Sequence, residues 1–243
     1  MLWLAERFAD VPGVVAVVLG GSRAEGRQRP DSDWDFGLYY RETLDPDYIR
    51  ALGYEGAVFA PGDWAYPMNG GAWLTVDGQK VDLLYRDLRD VERELARSER
   101  GEWELHRVPG YLAGMASYVP VGELALGRVL VGDLPRPDFP DQLRSSAPER
   151  WRWEAAFALE SAEMHAVRED AAACMGKLAF AILAEAQARM AEGGEWVLNE
   201  KGLVQRAGLQ RAEAALGGQA PSPPELRQLV SRVRGALASA SQA

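Results

Sequence analysis

Two hydrophobic periods divide this chain. Val14 to Leu19 is an unbroken run rich in β-branched side chains, bounded by Pro12-Gly13 and Gly20-Gly21, the pattern of a buried strand. Trp34 to Tyr40 partly alternates, is rich in aromatics, and reads as a second strand. Ala72 to Val76, then Asp77-Gly78, then Lys80 to Tyr85 is the strongest hairpin signal, because Asp-Gly supplies the positive φ angles of a tight turn. Residues 23–32 read as a loop or short helical turn, 45–52 as a short helix capped by Asp45, and 53–70 as irregular. Asp87 to about Arg107 carries Leu and Val at roughly helical spacing among many charges.

Beyond that point the period changes. Segments 111–131, 149–168, 171–192 and 222–240 read as helices dominated by Ala, Leu and Glu, with a linker around Pro135, Pro137 and Pro140. No strand is expected after about residue 85. The expected fold class is α+β: a mixed sheet with flanking helices over 1–107, followed by an all-helical bundle over 108–243.

Composition narrows the function classes. With 243 residues, 47% hydrophobic and 26% charged, the chain matches a water-soluble globular protein with a sizeable core. No uninterrupted apolar run approaches the roughly 20 residues of a membrane span, and no signal peptide is expected. A single cysteine, Cys174, excludes an internal disulfide and fits a cytoplasmic location. The net charge of −9 argues against nucleic acid as a partner and favours a small or cationic one. The cations are 24 arginines against three lysines, Lys80, Lys177 and Lys201, which singles out the lysines.

The chemistry concentrates around the first two strands. Gly21 and Ser22 end the first strand and allow a phosphate chain close approach to backbone amides. Asp33 and Asp35, two residues apart at the start of an extended strand, project to one face while Trp34 and Phe36 turn away. Paired carboxylates are poor structure but good ligands for a divalent cation. Asp82 interrupts an otherwise apolar strand and offers a third.

The run Gly-Gly-Ser-Arg-Ala-Glu-Gly, followed by Asp-Ser-Asp-Trp-Asp-Phe and later by Asp82, resembles the DNA polymerase β-like nucleotidyltransferase superfamily. It is most similar to the minimal and antibiotic (kanamycin-type) branches, over residues 12–86. The resemblance implies a catalytic domain over 1–107, with two Mg²⁺ ions held by Asp33, Asp35 and Asp82. It implies an NTP, ATP first, on Gly21, Ser22 and Arg23, with pairing to Glu25 or to Asp31, a turn residue, as the other reading of Arg23. Ser32 is read as a nucleotide contact or as positioning the loop, and Lys177 as reaching the triphosphate or snorkelling at the edge of the bundle. A small-molecule hydroxyl, on an aminoglycoside-like antibiotic, is the implied acceptor. Asn199, Glu200 and Lys201 are candidates to line its pocket, and Glu102, Glu104, Glu160, Glu163 or Glu200 to act as base. A protein-modifying AMPylase and a non-catalytic nucleotide-binding module are the alternative readings.

Overall fold

The computed structural model describes residues 1–243 except 25, 27, 30, 31, 218–223, 226, 230 and 234–243. Elements follow in the order α1 (Leu4–Ala9), β1 (Val14–Leu19), α2 (Gly21–Ala24), β2 (Trp34–Tyr40), α3 (Asp47–Arg50), β3 (Glu55–Val58), β4 (Gly71–Val76), β5 (Gln79–Asp87) and α4 (Leu88–Glu99). Then come β6 (Leu105–His106), β7 (Met115–Ala116), α5 (Val119–Leu126), β8 (Arg128–Val131), α6 (Asp141–Val167), α7 (Ala171–Glu192), α8 (Leu203–Arg206) and α9 (Gln210–Ala215). The result is a mixed six-stranded sheet with flanking helices, followed by the long α6–α7 pair.

The sheet runs β3-β4-β5-β2-β1-β8, with β2 and β5 parallel and the other pairs antiparallel. Asp77 at φ 50° and Gly78 at φ 72° close the β4–β5 hairpin, both in the left-handed region that its two-residue turn requires. Alternation along the strands sorts the side chains. One face buries Val17, Leu19, Phe36, Leu38, Leu74, Val81 and Leu83 against Leu4 and Phe8 of α1. The other face is covered only in part, where Ala16, Val18 and Tyr39 meet Leu88, Val91 and Leu124 of α4 and α5.

Four strands depart from the sequence reading: the two-residue β6 and β7 pair with each other beyond residue 85, where no strand is expected, and β3 and β8 are longer. β3 lies inside the Gly- and Pro-rich stretch expected to be irregular, and β8 lies inside the segment expected to be one helix over 111–131. There α5 ends at Leu126, and Gly127 passes so close to Val18 and the Leu19 carbonyl that a side chain would not fit. The β-branched Arg128–Val131 run then pairs with the free edge of β1. The sheet is thus completed from beyond residue 107. The α6 helix begins at Asp141, earlier than expected, and continues through Pro148. The helix expected over 222–240 falls largely outside the described residues.

A second core joins Trp151, Tyr118, Phe139 and Trp196 with the alanine face of α7. By length and composition α7 is apolar enough to cross a membrane. Here it packs on α6, and Ala181, Ala184, Ala188 and Ala191 are buried in that core.

Candidate functional site

Asp35 and Asp82 are partners in the parallel β2–β5 register, so their side chains leave the same face of the sheet from adjacent strands. Asp33 lies two residues before Asp35, just ahead of the strand. Both paired carboxylates hold their protons more tightly than a free aspartate does. Burial, then the charges of Asp35 and Asp33, push Asp82 up to about 6. Burial, then Asp33, raises Asp35, against a lowering contribution from Lys201. Gly21, at φ 60°, lies against this pair: a Cβ there would overlap Asp35 Oδ2. Gly20 N–H donates to the Asp35 carbonyl at 2.8 Å, which ties the glycine turn to the carboxylate strand.

Residues 2–104 match the nucleotidyltransferase domain family. The matched span runs from α1 through α4 and contains all three carboxylates and the Gly21-Ser22 turn, which supports nucleotidyl transfer as the general chemistry. No curated protein matches the chain. Among solved structures, the nucleotidyltransferase-like protein from Exiguobacterium sibiricum 255-15 is 9% identical, with a TM-score of 0.44, over 90% of this chain and 67% of that one.

Two expected nucleotide contacts are engaged within the loop itself. The Arg23 guanidinium donates to the Ser32 and Asp33 carbonyls at 2.6 and 3.0 Å and lies 4.1 Å over the Trp34 ring. Ser32 Oγ accepts from Arg29 N–H at 2.8 Å. Arg23 and Ser32 therefore staple the loop that delivers Asp33. Asp31, read as a turn residue, and Glu25, a possible partner of Arg23, lie outside the described residues.

A cleft opens between the uncovered sheet face and the helical part. Gly20, Gly21, Asp35, Gly37 and Tyr39 line its floor, and Tyr111, Glu123, Leu198 and Asn199 its wall. The segment after α7 brings Lys201 close enough for its charge to lower the proton affinity of both Asp35 and Asp82. Lys177, half-buried within α7, is not among the charges acting on either group. Of the two lysines, Lys201 is the one whose charge acts on the carboxylates. Glu200 has a structural task instead, with its carboxylate accepting from the Leu112 and Ala113 amides at 2.9 and 2.7 Å.

The other glutamates expected as bases are equally committed or remote from the cleft lining. Glu102 pairs with Arg100 and Glu104 with Arg97, while Glu160 and Glu163 are exposed on α6. The carboxylate that does line the cleft is Glu123 of α5, which the sequence reading missed. Its two oxygens accept from Nε and Nη2 of Arg86 at 2.6 and 2.8 Å, and Arg86 is 2% exposed. The signal was of the same kind as for Asp82: one acid interrupting an apolar run, Val119 to Leu126.

Proposed function

We propose that the protein transfers a nucleoside monophosphate from an NTP, ATP first, to a hydroxyl of a small-molecule acceptor of the aminoglycoside-like kind. The observation that carries this reading is the Asp35–Asp82 pairing on an open sheet face beside Gly21, with Asp33 just before it. Burial first, and then the charge of a neighbouring aspartate, makes both carboxylates costly to ionise, and their proton affinity is raised. A divalent cation between them relieves that cost. Among the described residues there is no group of three or more His, Cys, Asp or Glu side chains placed to hold a metal ion. Mg²⁺ does not need one, because it takes one or two carboxylates together with phosphate oxygens and water. Asp33, Asp35 and Asp82 suit two such ions, which when bound neutralise charge on the triphosphate and activate the acceptor oxygen.

The protein's own groups account for the rest. The open backbone at Gly21 and Ser22 admits the triphosphate, and Lys201 suits it as a cation. The cleft lined by Tyr39, Tyr111 and Leu198 suits the nucleoside. In the reaction the acceptor oxygen bonds to the α-phosphorus, the bond to the leaving pyrophosphate breaks, and the hydroxyl proton passes to Asp82 or to water. Holding the two reactants in this order is the main contribution of the protein.

Incubation with Mg²⁺ and labelled ATP, GTP, CTP or UTP tests the reading against an aminoglycoside panel and a cell lysate. Label on a small molecule that is lost in both Asp33→Ala and Asp35→Ala supports it. Label on a polypeptide points to protein AMPylation, and bound nucleotide without any transfer points to a non-catalytic module.

A further inference from the structure

The charged groups at the wall of the cleft are committed elsewhere or of the wrong sign for a cationic acceptor. Glu200 is held by backbone amides, Glu123 by Arg86, and Lys201 repels a cationic acceptor. On the far side of Asp82 the sheet offers a binding surface. In the β4–β5 register Trp73 stands opposite Asp82, as Asp35 does on the β2 side. Asp35, Asp82 and Trp73 therefore form one row on one face, with strands about 5 Å apart. Trp73 is 53% exposed, while Ala72 and Leu74 beside it turn into the opposite core.

This exposed ring is held in place by others. Trp64 stacks on Trp73 with centroids 5.5 Å apart and planes 26° from parallel. Phe59 meets Trp73 edge-on at 4.9 Å and Trp64 at 5.3 Å. Trp64 occupies the space left by Gly71, where a Cβ would come within 2.6 Å of its ring. The strand omits a side chain at 71, and the loop fills the gap with an indole that braces Trp73.

We propose that Trp73, backed by Trp64 and Phe59, is the acceptor subsite, and that it takes a saturated sugar or cyclitol ring carrying amino groups. This rests on the transferase reading above. The C–H face of such a ring packs on the indole and directs a hydroxyl toward Asp82. Its ammonium groups gain from the aromatic face and from the chain's acidic surplus, a net charge of −9. The same surplus repels a nucleic-acid backbone. Nucleotide and acceptor then reach Asp82 from opposite sides, Gly21 and Lys201 on one and Trp73 on the other, as an in-line displacement requires.

The test is binding of neamine, an aminocyclitol glycoside, followed by calorimetry and tryptophan fluorescence with Mg²⁺ and a non-hydrolysable ATP analogue present. Maltose and a short oligodeoxynucleotide are the comparison ligands. Neamine is expected to bind the wild type, Trp73→Ala to weaken it by about tenfold, and Trp73→Phe to recover most of the loss. Trp153→Ala, which removes an exposed indole on α6, is expected to leave binding unchanged. Equal affinity for wild type and Trp73→Ala overturns the proposal, as does absence of neamine binding to wild type. Trp73-dependent binding of the oligonucleotide or of maltose in preference to neamine overturns the acceptor class. Binding of the ATP analogue is measured separately: its failure in the wild type sinks the transferase reading while the Trp73 result still stands or falls alone.

Discussion

Asp35 and Asp82 face each other across a parallel strand pair, and after burial the charge of Asp35 raises the cost of ionising Asp82. The sign of the pH dependence follows. A carboxyl held at about 6 in the folded chain, above its ordinary 3.8, binds its proton more tightly folded than unfolded. The metal-free protein therefore gains stability as pH falls through about 6 toward 4 and loses it as pH rises. Asp82→Asn is expected to stabilise the metal-free protein above pH 6 by about 1–2 kcal/mol, a figure discounted for partial exposure. Thermal melts in chelator across this range check it; a variant that melts no higher than wild type above pH 6 contradicts it. Mg²⁺ binding is expected to weaken below about pH 6, where protons compete for the same oxygens.

Gly21 is irreplaceable for two separate reasons, its φ of 60° and its contact with Asp35. Gly21→Ala forces Asp35 aside. Nucleotide affinity is expected to fall by about tenfold or more while circular dichroism stays native, since the backbone strain amounts to only about 1–2 kcal/mol. Unchanged affinity in a nucleotide titration would show that the turn does not approach the triphosphate.

The two lysines make a paired comparison. Lys201→Ala is expected to weaken Mg–ATP binding by about five- to tenfold, as removal of a partly screened cation near phosphate should. Lys177→Ala is expected to have a smaller effect. The reverse order in the same titration would return the phosphate-contact role to α7.

Glu123 and Arg86 form a buried pair whose members depend on each other. Glu123→Ala strands a guanidinium that is 2% exposed and is expected to cost about 3–5 kcal/mol in chemical denaturation. Replacing both by Leu and Met is expected to cost less than the single change. Additive losses would mean the pair is not coupled.

What the chain revealed in advance was local. The bounds of β2 and α7 and the Asp77-Gly78 turn follow from nearest-neighbour patterns, and strand alternation puts Asp35 on the face opposite Phe36, with Asp33 just ahead of the strand. β3 was hidden because it is a four-residue edge strand among glycines and prolines. β8 was hidden because its Arg-Val-Leu-Val run continues an apolar helix, and only the open edge of β1 makes it a strand. At the site, Asp82 stood out by interrupting its strand. The approach of Lys201 to the carboxylates, and the seating of Trp64 over Gly71, depend on where distant segments return, which no local pattern encodes.

The last strand of the sheet and the counter-charge of Arg86 both come from residues after 107, outside the span that kinship marks as the domain. Heredity and hydrogen bonding draw different borders here. A fragment cut at 107 would carry every carboxylate of the site, yet it would show a bare sheet edge and a buried cation without its anion. Exchanging helical parts between relatives would likewise exchange a strand and a charge of the catalytic half. The two halves are built as one object, and any change in the helical part has to preserve the sheet that it completes.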